Sequence, residues 1–464
     1  MKSSAARVLP GVVLMLMLTG THVTAQFRPA QHMLTMDDAI QAALKHNPRI
    51  MAAQSQLDAS GERVTQARSG FLPQVAFDER FNHTNNPTLA FGTLLNQGVF
   101  TQEDFDVQRL NSPDAVDNFN SRFSLVWPLY DSGRTWYGHK QAKLGRDAAA
   151  LQLQRTRQEI IAEATTNYLN LLLAQKDLRV VQESLKSARA NLKMVQSRYQ
   201  TGFFVKSDLL RAQVRIASLE QQRLQTESNV AVARAALSAV MGSEEDEHFL
   251  PVSVLDSVSA PHASQAHWTT QALARRPDLR LLHNQELIAR EAVKKARAAH
   301  LPSFNLIGNY EINTEKFSDS ADNYTVGAMM NLNLYSGNRI SAKVREARDL
   351  ERAARARIRQ MELAVRVQTR QAFLQVHSAW QAISVARTAV GQAEETLRIV
   401  RNRYRNGLVT IVALLDAEVA LQKARSDLFR RLHDYRVSSV RLALAAGTID
   451  ENYKTPGQMA KQQD

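Results

Sequence analysis

Apolar positions along this chain follow two rules, and each rule is used twice. Over Leu178, Val181, Leu185, Ala188, Leu192, Val195 and Tyr199 they recur at alternating intervals of three and four. Shifted by 205 residues (198 to 403), the same places hold Ile383, Ala386, Val390, Ala393, Leu397, Val400 and Tyr404. That spacing is a coiled-coil seam. The stretches that follow answer it with Leu209, Ala212, Ile216 and Leu219, and with Leu414, Ala417, Leu421, Ala424 and Leu428, so each pair is predicted to zip into an antiparallel helical hairpin. The tips read Arg198-Tyr199-Gln200-Thr201-Gly202 and Arg403-Tyr404-Arg405-Asn406-Gly407, with a glycine to permit each reversal. The outgoing helices read from Arg134 to Tyr199 and from Arg339 to Tyr404. At ~1.5 Å per residue each is roughly 100 Å long, too long for a compact domain.

The second rule is period two. Phe304, Leu306, Tyr310 and Ile312 alternate with Asn305, Asn309, Glu311 and Asn313, and Tyr324, Val326, Ala328, Met330, Leu332 and Leu334 alternate with Thr325, Gly327, Asn331 and Asn333. Earlier in the chain, Val75, Phe77 and Phe81, then Phe123, Leu125 and Trp127, suggest the same strand pair, with Glu79 breaking the pattern. Segments of ~10 residues with two unlike faces match strands that cross a bilayer. A soluble antiparallel sheet shares the period, but the long polar helices leave no other apolar surface to cover it, which favours the membrane. Four strands cannot close a barrel, and an open edge in lipid strands its backbone polar groups. The barrel must be shared: two copies give eight strands and three give twelve, and a lumen wide enough for passage favours the larger number.

Prolines punctuate both halves. Thr35 and Asp38 form a helix N-cap pattern, Asn47-Pro48 interrupts the helix, and Pro73 opens the first strand. Arg276-Pro277 and Pro302 repeat this at an offset of 229 (48 to 277). The first half carries 24 extra residues around Asn85 to Asn118 (57 positions from Pro73 to Tyr130, against 33 from Pro302 to Tyr335). Long barrel loops lie outside the cell, so this one is expected to be extracellular. The expected organisation is a leader over 1–25, one repeat over 26–250, a second over 251–448 and a flexible tail over 449–464.

Composition narrows the class. Lys2 and Arg7, the apolar run Val8 to Leu18 and the small residues of Val23-Thr24-Ala25 form a secretory signal peptide, too short to span a membrane. The absence of cysteine excludes disulfides, thiol chemistry and an N-terminal lipid on a cysteine. The net charge of +13 is spread along helices among Glu, Gln and Ser, with no aromatic-flanked basic cluster, so no nucleic-acid partner is expected. There is no Gly-rich phosphate loop and no His-Glu-x-x-His motif, and His377 and His433 sit singly within helices. No enzyme activity, cofactor or metal site is expected. The competing class is a periplasmic coiled-coil adaptor or scaffold, which needs one hairpin and no lipid-facing strands.

A signal peptide, two repeats, two strands and two long helices per repeat, and the paired Arg-Tyr-x-x-Gly tips together resemble the TolC-like outer-membrane efflux protein family (outer membrane factors), from about Leu34 to Thr448. The resemblance implies a mainly α fold with transmembrane β: a homotrimer with a twelve-stranded outer-membrane barrel, four strands per chain, continued into the periplasm as a tunnel of antiparallel coiled-coil hairpins. It implies an exit duct for efflux or type I secretion, joined to an inner-membrane pump through a periplasmic adaptor (membrane fusion protein). It also assigns Asp416, Asp208 and Tyr404 to the periplasmic gate. Ala413 stands where the family carries a second carboxylate, and Val409 where it carries a linking arginine, which implies one acidic ring and a leakier resting state. Three Asp416 carboxylates on one axis would favour cations at the entrance. Arg198, Tyr199, Gly202 and Phe203, with Arg403, Tyr404, Gly407 and Leu408, form the tips expected to dock the adaptor.

Overall fold

The computed structural model describes residues 32–203, 205–243, 249–252, 255, 258–261 and 263–454. The expected leader over 1–25 and the expected tail beyond 454 lie outside the described residues. The chain opens with β1 (His32–Leu34), α1 (Met36–His46), α2 (Pro48–Ser69) and β2 (Gln74–Thr84). An insertion holding α3 (Pro87–Asn96), a short 3-10 turn and α4 (Val107–Asn111) precedes β3 (Val116–Tyr130). The first hairpin is α5 (Arg134–Gln200) and α6 (Lys206–Met241). After β4 (Phe249–Pro251) the order recurs as α7 (Gln265–Arg275), α8 (Pro277–Ala298), β5 (Ser303–Lys316), β6 (Asp319–Asn331), α9 (Arg339–Arg405) and α10 (Ile411–Ala446). The outgoing arms α5 and α9 are both 67 residues long and the returning arms α6 and α10 both 36.

Local chemistry places the breaks. Thr35 and Asp38 form the capping box of α1. Asn47 ends α1, starts α2 by accepting from Arg49 N–H, and sends its buried amide to the Val240 carbonyl at 2.8 Å. Arg276 does the corresponding work between α7 and α8, pairing with Asp278 at 2.6 Å and donating to Gln368 and the Ala445 carbonyl. Gly242 and Gly447 end α6 and α10 with φ of +75° and +67°. A Cβ on Gly242 would stand 2.4 Å from the His46 carbonyl oxygen, so left-handed backbone and close approach both require glycine there. Around these joints lies the main core, with Ile160, Tyr168, Leu169, Leu171 and Leu237 fully buried. Ile449 and Tyr453, inside the segment expected to be a flexible tail, pack into this core because both carry large apolar bodies. The parallel ladder of β1 on β4, three residues each, has no counterpart in the sequence reading.

The other sheet is four-stranded, ordered β2-β3-β5-β6, with every neighbouring pair antiparallel. One face carries Val75, Phe77, Phe81, Phe123, Leu125, Leu306, Tyr310, Tyr324, Val326 and Met330. Of these, Val75 and Val326 are 70% exposed and Tyr324 77%. Glu79 interrupts this face and is satisfied by the Ser121 hydroxyl opposite. The strands run further outward than the alternation suggested: β5 continues to Lys316 and β6 begins at Asp319. Leu332 and Leu334, assigned to the last strand by their period, lie beyond its end. The expected loop from Asn85 to Asn118 is also corrected. Val116, Asp117 and Asn118 pair with β2, and the rest holds two short helices, started by Asn86 with Pro87 and by Asp106, with a 3-10 turn between them.

Candidate functional site

Two regions, one at each end of the long helices, have the geometry of function. At the distal end the two reversals share one backbone solution. Gly202 and Gly407 have φ of +76° and +74°, and the N–H groups of Phe203 and Leu408 reach back 2.9 Å to the carbonyls of Arg198 and Arg403. This is the Schellman closure that left-handed glycine permits. Phe203 and Leu408 project into solvent, 82% and 73% exposed.

The tyrosines differ. Tyr404 is 1% exposed, whereas Tyr199 is 39% exposed. Tyr404 lies with Val195, Ala212, Leu397, Ile411 and Leu414, so its cluster draws on both hairpins. Val409 packs against the same cluster. Burial, reinforced by the Asp208 carboxylate and opposed by Arg198, pushes the Tyr404 hydroxyl up to about 12. Asp208 sits in the first turn of α6, where a carboxylate complements the helix dipole. Arg198 crosses between the tips and donates to the Arg405 carbonyl at 2.7 Å. Asp416 is exposed on α10, on one stripe with Val412 and Val419, and Ala417 on its other side is buried. The tips thus bring Asp208, Tyr404 and Arg198 together and leave Asp416 apart.

Sequence reasoning missed a polar cluster a few turns inward. The Glu418 side chain, 7% exposed, accepts from Ser187 at 3.0 Å and from Asn191 on α5, and faces Arg401 of α9 at 3.5 Å. Arg401 also donates to Ser187 at 3.1 Å. Next to it Arg215 of α6 donates to Gln422 at 2.6 Å, and Gln422 donates to Gln222 at 2.8 Å. Burial pulls the Arg215 guanidinium below its ordinary range, against the pull of Glu418. Arg425 joins Glu183 on α5 to Glu394 on α9. All four long helices are tied here. Local sequence gives one signal only, a carboxylate set between the seam residues Ala417 and Leu421.

At the proximal end the second face of the four-stranded sheet is polar. Asn118 and Asn120 both donate their side-chain amides to Asn313 Oδ1, at 3.0 and 2.9 Å, and the Arg122 guanidinium pairs with Glu311 at 2.8 Å. Asn118, Asn120 and Asn313 are all nearly inaccessible. No helix among the described residues is long and apolar enough to cross a membrane, and no group of metal-ligating side chains occurs among them. The opposite face of the sheet is apolar and exposed, with Val75, Tyr324 and Val326 in the open.

The family model for the outer membrane efflux protein matches residues 39–243 and 268–448. The proteases secretion protein PrtF of Dickeya chrysanthemi is 23% identical over 428 residues, covering 89% of this chain and 88% of the relative. Outer membrane protein TolC of Vibrio cholerae is 24% identical over 424 residues, covering 88% and 90%. The crystal structure of the Campylobacter jejuni CmeC outer membrane channel shares the fold, with a TM-score of 0.75 at 17% identity, over 92% of this chain and 89% of that one. The match spans both hairpins, both strand pairs and the joints between them, and the chain belongs to the outer membrane efflux protein family.

Proposed function

We propose that three copies of this chain form the exit duct of an efflux or type I secretion system. Members of the family are outer-membrane transport channels, and this chain works in that membrane with its helices extended into the periplasm. The observation that carries the trimeric reading is the sheet. Its outer strands β2 and β6 each have one unpaired edge, and its apolar face is open. In lipid such edges must be paired, and β6 of one copy against β2 of the next closes the ring. Three copies of four strands give a twelve-stranded barrel with the asparagine-rich face lining the lumen.

The helical hairpins continue this ring as the periplasmic tunnel, and the tips are its entrance. Exposed Phe203 and Leu408 suit them to meet the helical hairpin of a periplasmic adaptor, which couples the duct to an inner-membrane pump. The entrance is held by the Tyr404 cluster, the Arg198 link and the Glu418 network, which supply closing contacts where Val409 replaces an arginine. Asp416 is the carboxylate available to face permeating ions.

Planar-bilayer recording of the purified mature protein, added from detergent, tests this. Discrete, cation-favouring steps of low conductance are expected, and Asp416→Ala should lower the cation preference. A protein that stays soluble without detergent and never inserts would sink the barrel reading. Unchanged selectivity in Asp416→Ala would remove that residue from the gate.

A further inference from the structure

The insertion between β2 and β3 does not extend away from the sheet. Its helix α3 lies against both β3 and β6, so it crosses the sheet from the second strand to the far edge. The face it crosses is the polar one. Gln97, which follows α3 and is 6% exposed, donates to the Asp117 carbonyl at 2.7 Å and to the Asn118 side chain at 2.9 Å. Asn118 belongs to the carboxamide ladder with Asn120 and Asn313. Gly98, with φ +68°, brings the backbone so close to β6 that a Cβ would touch that of Ala321 at 3.4 Å, and Ala321 is the register partner of Asn313. The insertion has its own small core: Ala90 is fully buried, and the rings of Phe91, Phe100 and Phe105 stack edge to face. A folded unit is thus pinned by buried amide hydrogen bonds to one face of the sheet.

We propose that residues 85–115 form a lid over the outer mouth of the lumen, setting a size limit for solutes that enter from outside. The inference rests on the trimeric barrel, in which the polar face lines the lumen and three lids lean over one opening. Thr325 lies on the same face of β6, four residues nearer the helical end than Ala321 and opposite Asn309. At ~3.3 Å per strand residue, it sits about 13 Å below the lid contact. Gln97 fixes the lid because its two bonds replace water that a free loop would keep.

The chain has no cysteine, so single cysteines report access cleanly. Intact cells carrying the full protein with Thr325→Cys are treated with a bulky, membrane-impermeant polyethylene-glycol maleimide. Labelling should be slow, and should rise roughly tenfold or more when 85–115 is replaced by a short Gly-Ser turn, as for a lid open about a tenth of the time or less. If that replacement prevents assembly, Gln97→Ala in the same background should raise the rate in the same direction. Ser318→Cys, in the exposed turn between β5 and β6, should label quickly in every background. Equal, fast labelling at Thr325→Cys with and without the insertion, while Ser318→Cys labels, overturns the lid. Failure of Ser318→Cys to label overturns the outer-membrane orientation on which the lid depends.

Discussion

The two helical tips are near copies in sequence and in backbone, yet one tyrosine is buried and the other stands half in water. Arg198 to Gly202 and Arg403 to Gly407 make the same closure with the same left-handed glycine. The difference arises from what each tip leans on. The second tip is wedged against α5 and α6, so Tyr404 is enclosed by residues of both hairpins, whereas Tyr199 looks outward. The repeats share the local solution while tertiary position sets them apart: the second tip is buried against the first hairpin, and in the proposed entrance it is the one that would carry the closing contact.

The largest asymmetry should appear on truncating the tyrosines. Tyr404→Ala empties an enclosed site and is expected to cost about 3–5 kcal/mol of local packing, against about 0.5 kcal/mol for Tyr199→Ala. Planar-bilayer recording should show higher conductance for the first variant and no change for the second; equal effects would break the comparison. Glu418→Ala leaves Ser187, Asn191 and Arg401 without their shared acceptor, at about 1–3 kcal/mol, and should also raise conductance. Gly202→Ala and Gly407→Ala should cost the same, about 1 kcal/mol each, because both have positive φ and open space around them. Denaturant midpoints that differ between these two would show that the turns are not equivalent.

The gentlest probe is pH. The folded state favours neutral Tyr404, whose hydroxyl is raised from 10.0 to about 12, so its contribution is complete below 10 and is lost as pH climbs toward 12. Conductance should be flat below pH 10 and rise above it, and Tyr404→Phe should abolish that rise. At the joint between α7 and α8 the sign reverses. Burial disfavours the Asp278 carboxylate, but the Arg276 hydrogen bond and charge outweigh it and hold the group below its ordinary value. That contribution is present near neutrality and fades on acidification, which separates loosening of the joint from loosening of the tips.

The long helices were legible to within a residue or so, because a seam of alternating three and four over more than three heptads has no other fold to enter. The strands were legible as strands, but Leu332 and Leu334 kept the alternation after pairing had ended, since period two marks faces and not partners. The interior of the insertion was not legible. Its helices are short, and what orders it is Gln97 meeting Asn118 across the sheet. Glu418 was missed for a related reason. Its acceptors' donors, Ser187 and Asn191, lie more than two hundred residues away, and a glutamate between seam positions reads as an ordinary solvated side chain. The proposed gate residues Asp208 and Tyr404 came from family resemblance; the proximity of their side chains is geometry that no spacing rule encodes.

The matched arms, 67 residues out and 36 back in both hairpins, carry a manufacturing tolerance. One residue added to a single arm would turn everything beyond it by about 100° and lift it by ~1.5 Å, taking Arg198 off the Arg405 carbonyl and Tyr404 out of its cluster. The hairpins therefore behave as two legs of one stand, which can be lengthened only together and by whole numbers of turns. The 85–115 insertion joins two strands and so lengthens neither leg.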